Sequence, residues 1–383
     1  MTITAPVRPA RLRLPALSGA LAAFVLIGAQ QALYGPAIPQ LRHTYGISPA
    51  TAAAALSVHF AGAILGVFAL PVARRRGIAD GHLLGGALAL IAAGCLAFAV
   101  APNWPLALAA AFVAGLGFGA IDGGVNQVFT EVYPGGHGRL NLLHGCFGLG
   151  AIGGPIAVGL AGSYVSPFAV LAALALVALP LLARVAGVSA PAPSGNAPRY
   201  GMVGAVGLAF VAFFVLNVGL ETGAAGWETS HLMANGLSEH DAGLATSGFW
   251  LTFTAVRFAV VPLCHRYSAR TIVITCVVLT VLAALTTTYR PIAPLGYGLL
   301  GVAIGPLFPT GLVWLAQLRP RLTATVVAAS MVGGIAFPPG IGLAVGTFGP
   351  TAVPPALIAL AVAGLAAVLV IAGRRGAPVP AEE

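Results

Sequence analysis

In the stretch 115–155, Asp122, Asn126, Asn141 and His144 lie inside two runs built mostly from Gly, Ala, Leu, Phe and Val, and their side chains could hold a proton or form hydrogen bonds. Asp122 and Asn126 are four residues apart, so they share one face of a helix. Asn141 and His144 are three residues apart and share a face in the same way. Polar groups are costly in an apolar environment unless they are paired or used. The spacing therefore predicts helices that line a polar pathway through an apolar protein.

The composition excludes a soluble globular domain. Of the 383 residues, 58% are hydrophobic and only 7% are charged, whereas soluble chains contain about 25% charged residues. All 18 basic residues are Arg, and they are scattered between apolar runs instead of forming the basic face of a nucleic-acid-binding protein. We therefore predict a multi-pass membrane protein in a lipid bilayer, without a nucleic-acid partner.

The sequence contains no pattern typical of an enzyme or of an ATP-driven pump. The four cysteines lie in or beside apolar runs and lack the CxxC spacing of a metal or redox site. There is no GxxxxGK[ST] nucleotide motif, and no Ser/His/Asp set or metal-ligand cluster can be assembled on one helix face. We therefore expect no enzymatic activity, no metal and no organic cofactor.

The helices that must position the polar residues can be counted from hydropathy. About 20 apolar residues cross a bilayer core of about 30 Å, and the sequence contains twelve such segments, separated by Pro- and Gly-rich breaks. The predicted spans are 15–40, 49–72, 81–101, 105–130, 139–162, 167–185, 201–228, 241–263, 271–289, 294–317, 323–346 and 352–373. The predicted fold class is an all-α membrane protein with twelve transmembrane helices.

The arginines indicate how these helices are oriented. Fifteen of them lie on the side of the two termini, two (Arg42 and Arg290) lie on the other side, and Arg257 lies inside a span. Loops on the cytoplasmic side of a membrane are enriched in Lys and Arg. We therefore predict that both termini are cytoplasmic and that the protein lies in a bacterial-type inner membrane.

The predicted spans divide into two six-helix halves. Residues 186–200 are rich in Pro, Ser and Gly, which is typical of a flexible linker. We predict an N-terminal bundle over 1–185, this linker on the cytoplasmic side, and a C-terminal bundle over 201–383. The halves also resemble each other, since 150–164 aligns without a gap with 334–348. Pseudo-symmetric parallel repeats of this kind occur in secondary transporters.

Four motifs and the basic loops after spans two and eight connect the chain to a known family. The motifs are IDGGVN in span four (Asp122, Asn126), RLNLLHGCFGLGAIGGP in span five (Asn141, His144), GLETGAAGW in span seven (Glu221, Trp227) and FWLTFTAVRF in span eight (Trp250, Arg257). With them the chain resembles the major facilitator superfamily (MFS), and within it the branch of fucose–proton symporters and sodium-dependent glucose transporters. The loop after span two, ARRRG, lacks the Asp that the family places before its arginines.

The resemblance implies a secondary transporter that moves a monosaccharide together with a proton by alternating access, with Na⁺ as the alternative ion. Asp122 is suited to hold the proton, because a carboxyl group in an apolar environment is stable only when protonated, paired or hydrated. His144 could adjust that proton or bind a substrate hydroxyl. The alternative is a structural Asp122 paired with His144 or Arg257, and a His144 that only bridges two helices.

Amide side chains are the first candidates for binding a sugar. Asn126 and Asn141 can both donate and accept hydrogen bonds, as sugar hydroxyls require, although they would also serve as hydrogen bonds between helices. Gln30 and Gln31 in span one are adjacent, so at most one of them points into a pathway.

Span seven supplies the acidic candidate in the second half. The resemblance makes Glu221 an acceptor for substrate hydroxyls, with Asn217 one helical turn before it. Trp227 would be a stacking or lid residue, and Trp250 could stack on a sugar face. The alternative places the two Trp residues in packing or in the membrane-interface belt. Arg257 would gate the pathway or form an ion pair, or it would only extend to the membrane surface.

Span five leaves a second function open. Gly150, Gly154, Pro155 and Gly159 approximate the GxxxGPxxGG motif of drug–proton antiporters. Proton-coupled efflux of drugs or metabolites is therefore the alternative to symport. In both cases we expect a small-molecule substrate and a monomer.

Overall fold

The structure is a computed structural model, and it describes residues 14–131, 137–185, 204–319 and 322–373. In a bilayer each backbone polar group must be bonded within its own segment, so long apolar runs fold as α-helices. Twelve helical segments of the described part are long and apolar enough to cross a membrane. This confirms the predicted all-α fold with twelve spans. The predicted linker over 186–200 lies outside the described residues.

The first six spans are single helices. They are α1 (Leu14–Tyr45), α2 (Pro49–Arg75), α3 (Asp80–Ala99), α4 (Trp104–Glu131), α5 (His137–Ala161) and α6 (Val165–Leu182), the last followed by a 3₁₀ turn at Ala183–Val185.

Two of the last six spans are interrupted. The helices are α7 (Ala205–Ala234), α8 (Glu239–Ala259), α9 (Val261–Cys264), α10 (Ala269–Thr286), α11 (Ala293–Ile304), α12 (Leu307–Leu318), α13 (Thr323–Phe348) and α14 (Val353–Gly373). The 3₁₀ turns Arg290–Ile292 and Pro350–Ala352 precede α11 and α14. The eighth span consists of α8 and α9, and the tenth consists of the Arg290–Ile292 turn, α11 and α12.

The turn after α1 and the turn after α7 have the same chemistry. Gly46 (φ 63°) and Gly236 (φ 103°) adopt positive φ angles that only glycine reaches without strain. The serine that follows each of them, Ser48 or Ser238, accepts a hydrogen bond from the backbone N–H three residues later, at 3.2 and 3.0 Å. Such a serine stabilises the start of the next helix. The two turns therefore repeat one local design at equivalent places in the sequence.

Glycines set the distance between the helices within each half. A Cβ atom added to Gly150 of α5 would collide with the carbonyl oxygen of Val25 in α1, and one added to Gly333 of α13 would collide with that of Val215 in α7. Small residues allow this approach, and packing at close range is what holds membrane helices together. Similar approaches join α2 to α4 and α8 to α11 at Gly115, Gly119, Gly301 and Gly305.

Contacts divide the described residues into two compact units. The first comprises the described parts of Met1–Leu33, Val58–Gly154 and Ser163–Gly195. The second comprises Tyr34–Ser57, Pro155–Gly162 and the described parts of Asn196–Glu383. It therefore contains short ends of α1, α2 and α5 in addition to α7–α14. The domain boundaries drawn from sequence at 1–185 and 201–383 stay a prediction.

Direct contacts hold these short ends within the second unit. The Ser57 hydroxyl at the middle of α2 donates a hydrogen bond of 2.6 Å to the carbonyl oxygen of Ile335 in α13. The Gln40 amide of α1 donates a hydrogen bond to the Glu239 carboxylate in the first turn of α8. Both contacts join residues distant in sequence, so hydropathy alone does not reveal them.

Each unit has an aromatic core. In the first unit the rings of Phe98 in α3 and Phe168 in α6 lie 4.7 Å apart. In the second unit Phe210 of α7 packs edge-on against Trp314 of α12, with ring centroids 5.4 Å apart. In lipid such contacts stabilise by close packing, because transfer from lipid to protein interior gains little hydrophobic free energy.

Candidate functional site

Asp122 and Asn126 form a hydrogen-bonded pair on α4, in the first unit. The Asn126 amide nitrogen donates to the Asp122 carboxylate at 3.0 Å, as the four-residue spacing predicts. Both side chains are partly buried. Among the described side chains no cation forms an ion pair or a resolved electrostatic interaction with Asp122. A negative charge on this carboxyl group is therefore balanced only by an amide dipole.

His144 lies on α5 and forms no hydrogen bond with Asp122 among the described residues. Its imidazole is exposed and packs edge-on against Phe24 of α1, with ring centroids 5.7 Å apart. Within the described residues the only hydrogen bond of the Asp122 side chain is the one from Asn126. The two predicted proton-coupling residues are thus in one unit but not in contact. The side chain of Asn141 lies outside the described residues.

The adjacent amides of α1 differ in their surroundings. Gln30 is 0% exposed, and in the described part of the chain neither its oxygen nor its nitrogen has a hydrogen-bond partner. Gln31 is partly exposed. A buried amide without a partner loses the hydrogen bonds it made to water. Of these two amides, Gln30 is therefore the one that would gain more from a bound polar group.

Glu221 of α7 and Arg257 of α8 are oppositely charged groups of the second unit. They interact electrostatically, although their charged atoms stand farther apart than the 4.0 Å of an ion pair. The Arg257 guanidinium donates a hydrogen bond of 3.1 Å to the carbonyl oxygen of Gly305 and lies 4.1 Å from the ring centroid of Phe253. Both charged side chains are partly buried. Arg257 is thus held by the segment between α11 and α12, and its role in gating or in an ion pair stays a prediction.

Asn217, one helical turn before Glu221, lies in a packed region. It is 4% exposed and has no hydrogen-bond partner among the described residues. It borders a cavity of about 10 Å³ between α7, α10, α12 and α14. This volume is about the minimum that holds one water molecule. The structure therefore gives Asn217 space for a water but not for a sugar.

The two predicted aromatic ligands are enclosed by helices in the second unit. Trp227 is 0% exposed, and its indole N–H donates a hydrogen bond of 2.8 Å to the carbonyl oxygen of Pro338 in α13. Trp250 is 1% exposed and packs against the rings of Phe249 and Phe253 at 5.3 and 5.4 Å. Neither indole has a free face for a solute in this conformation.

Sequence reasoning assigned no function to Glu228, the residue after Trp227. As a neighbour of Trp227 near the end of a span, it fitted a membrane-interface position. The structure instead buries it completely, and within the described chain neither carboxylate oxygen has a hydrogen-bond partner. The predicted span ended at residue 228, whereas α7 continues for six more residues to Ala234, so Glu228 lies inside the span.

An acid also pairs with the arginines that follow α2, although the Asp that the family places before them is absent from this sequence. Arg74 at the end of α2 pairs with Asp80 in the first turn of α3, with Nε and Oδ1 2.6 Å apart, and donates a second hydrogen bond to Gln127 of α4. Both charged side chains are buried. The acid thus follows the arginines instead of preceding them, and a search for the usual motif misses it.

The fold and these polar groups define a class, a helical membrane protein of twelve spans with ionisable side chains inside the spans. A sequence profile of the Major Facilitator Superfamily matches residues 20–227, which is more than half of the chain. The chain belongs to this superfamily. It is therefore a secondary transporter of the MFS fold and not an enzyme.

Solved transporters have the same fold at low sequence identity. The nucleoside transporter NupG matches 95% of this chain and 99% of its own with a TM-score of 0.73 and 14% identity. FucP in the outward conformation matches 94% and 98% with a TM-score of 0.63 and 18% identity. A bacterial homolog of the human lysosomal transporter Spinster, inward-facing and occupied, matches 93% and 94% with a TM-score of 0.70 and 15% identity. No curated protein sequence matches the chain.

Proposed function

We propose that this transporter moves a small polar solute, a monosaccharide, together with a proton, and that Asp122 holds the proton. The observation that supports this assignment is the lack of a described cation at Asp122, in contrast to Glu221, which interacts with Arg257. A carboxylate without a cation inside a span reaches neutrality by binding a proton. A carboxylate with an arginine nearby does not need one.

Proton binding at Asp122 then changes the energy of the transport cycle. A ligand shifts a conformational equilibrium only by its difference in affinity between the states. A neutral Asp122 tolerates an environment without water, whereas an ionised Asp122 requires a hydrated one. The bound proton therefore favours the conformations in which this part of α4 is closed off from water. This preference couples proton movement to alternating access.

The hydrogen-bonding groups favour a solute rich in hydroxyls. Gln30 has an unused donor and an unused acceptor, and Glu221 offers acceptor oxygens beside the Arg257 donor. The span-four and span-five motifs resemble those of fucose–proton symporters, and FucP is among the structures with this fold. The solved nucleoside transporter of the same fold makes nucleosides, which contain a sugar ring, the next class of solute.

We also propose the orientation and setting of the protein. The loops that contain Arg74, Arg184, Arg266 and Arg319 would face the cytoplasm, because basic loops remain on that side. Both termini would then be cytoplasmic, in a bacterial-type inner membrane, and the transporter would act as a monomer. Cysteine labelling of single loop positions in intact cells tests the orientation.

The substrate is found first by a binding experiment. The purified protein is heated with monosaccharides, polyols, nucleosides or typical efflux drugs, and a solute that binds the folded state raises its Tm. We expect a shift from a monosaccharide. A shift from drugs alone, with none from any sugar or nucleoside, would favour the efflux alternative.

The proton assignment is tested with Asp122→Asn in proteoliposomes. We expect the variant to lose accumulation of the identified solute driven by a pH gradient, at least ten-fold, while exchange of labelled for unlabelled solute continues. Exchange survives because it does not require the proton to leave. Asp241→Asn, which changes an exposed acid of α8, is the matched control and should accumulate solute normally. Equal accumulation by Asp122→Asn and the control would contradict the assignment.

A further inference from the structure

We propose that Glu228 is a second proton-binding site, protonated in the conformation described here and connected to the end of α7 by Tyr297, His231 and Asn235. The site lies entirely in the second unit, whereas Asp122 lies in the first. The inference rests on the proposed function in one respect, the use of this proton in transport. The protonation of Glu228 itself does not depend on Asp122.

The burial of Glu228 is the first step of the argument. The residue is 0% exposed, and neither of its carboxylate oxygens has a hydrogen-bond partner among the described residues. An ionised carboxylate in such a place has lost its water without gaining donors or a cation, which is far more costly than burying the neutral acid. Glu228 therefore keeps its proton in this conformation.

The charges around Glu228 do not alter this conclusion. In the second unit, the titratable or charged residues on the elements that pack against this part of α7 are Tyr34, Arg42, His43 and Tyr45 on α1, Glu239, His240, Asp241 and Arg257 on α8, Arg290 in the turn before α11, and Tyr297 on α11. In their described residues α13, α14 and the 3₁₀ turn at 350–352 contribute none. None of these described groups forms an ion pair or hydrogen bond with the Glu228 carboxyl group.

A chain of polar side chains leads away from Glu228. The Tyr297 hydroxyl of α11 lies within electrostatic range of Glu228 and is hydrogen-bonded to His231 Nδ1 at 3.0 Å. His231 Nε2 is 3.2 Å from the amide nitrogen of Asn235. The exposed Arg290 donates a hydrogen bond of 3.0 Å to the carbonyl oxygen of Asn235. The Arg290 contact is to the backbone, so the chain of side chains begins at the partly exposed Asn235 and ends at Tyr297, within electrostatic range of a buried acid.

Burial changes gradually along this chain. Tyr297 is 0% exposed, His231 is 3% exposed and Asn235 is partly exposed. Glu228, His231 and Asn235 are spaced by three and four residues, so they share one face of α7. A phenol and an imidazole can each donate and accept a hydrogen bond and can therefore pass a proton along. The face thus provides a route by which Glu228 could exchange its proton when this end of the unit opens.

Infrared spectroscopy of the protein in bilayers tests the protonation directly. A protonated carboxyl group without hydrogen bonds absorbs at the high-frequency end of the carbonyl region, where ionised carboxylates do not absorb. We expect this band at neutral pH in the wild type, its loss in Glu228→Gln, and its retention in Asp122→Asn. A folded Glu228→Gln protein with an unchanged band would overturn the proposal.

Two further variants keep the test decisive. Glu228→Asp retains the acid group, so its band should shift in frequency even if Glu228→Gln fails to fold, and an unshifted band would count against Glu228. Tyr297→Phe removes the hydroxyl that lies within electrostatic range of Glu228, and it should slow the exchange of the Glu228 proton after a pH jump at least several-fold. An unaltered exchange rate would remove Tyr297 from the route.

The two proposals can fail separately. If Asp122→Asn accumulates solute normally while the Glu228 band is present, the assignment of Asp122 is wrong and that of Glu228 stands. If the band is absent while Asp122→Asn loses accumulation, the reverse holds. Loss of pH-driven accumulation in Glu228→Gln, with exchange retained, is the result expected if the Glu228 proton takes part in transport.

Discussion

The intramembrane acids of α4 and α7 are held in opposite ways. Asp122 in the first unit accepts a hydrogen bond from Asn126 of its own helix and has no described cation nearby. Glu221 in the second unit interacts with Arg257 of a neighbouring helix. One partly buried carboxyl group is thus without a described cation, and the other has an arginine within electrostatic range. This difference in charge compensation is the basis of our proposal that Asp122 carries the proton and Glu221 binds the solute.

The same comparison can be made within α7. Glu221 and Glu228 are two helical turns apart on one helix, yet only Glu221 interacts with an arginine. Glu228 is also the more deeply buried of the two. One helix therefore presents one acid beside an arginine and one without a described cation, which supports the proposal that the first binds the solute and the second binds a proton.

The largest expected effect comes from breaking the Glu221–Arg257 pair. Arg257→Gln leaves the Glu221 charge without its arginine, at a cost of about 1–3 kcal/mol, less than for a fully buried pair because both side chains keep some contact with solvent. We expect solute exchange to fall about 100-fold and Tm to decrease. This differs from Asp122→Asn, in which exchange should continue.

The double variant Glu221→Gln with Arg257→Gln sharpens this result. It removes both charges, so the unbalanced acid disappears and Tm should return toward that of the wild type. Exchange should remain low, because the groups proposed to bind the solute are gone. If the double variant exchanged solute normally, Glu221 and Arg257 would be a structural pair only.

Hydropathy was enough to predict the twelve helical spans. Each span is a long apolar run, and the bilayer leaves the helix as the only way to satisfy its backbone. The interruptions were harder to predict. The tenth span breaks near Gly305 and Pro306, and the eighth breaks after Ala259, just before Pro262. Both prolines are visible in the sequence, but a proline alone does not decide a break, because α5 continues through Pro155.

The candidate site was predicted in part. The four-residue spacing of Asp122 and Asn126 led directly to their hydrogen bond, because a helix fixes that geometry. The surroundings of Trp227 and Glu228 depend on which helix packs against α7, and that information is not local in the sequence. The bond from Trp227 joins residues 111 positions apart. Periodicity within one helix cannot reveal such a partner.

The next prediction in order of size concerns helix packing, and here we expect glycine substitutions in the two halves to lower Tm alike. Gly150→Ala in α5 and Gly333→Ala in α13 each push a Cβ atom into the backbone of a neighbouring helix. Overpacking typically costs about 1–3 kcal/mol, so each variant should lower Tm by several degrees. Gly153→Ala and Gly340→Ala on the same two helices meet nothing within 4 Å and are the matched controls. A Tm decrease confined to one half would show that the equivalence of α5 and α13 ends at sequence and does not extend to packing.

The smallest effect distinguishes a packing role from a binding role for Trp227. Trp227→Phe keeps an aromatic ring but removes the N–H that donates to the carbonyl oxygen of Pro338. Loss of one hydrogen bond costs about 1 kcal/mol, so Tm should fall slightly while the Kd of the identified solute stays within about two-fold of the wild type, a change below about 0.4 kcal/mol. A ten-fold weaker Kd at unchanged Tm would instead mean that the indole contacts the solute in another conformation, and Trp227 would then join Glu221 as a binding residue of the second unit.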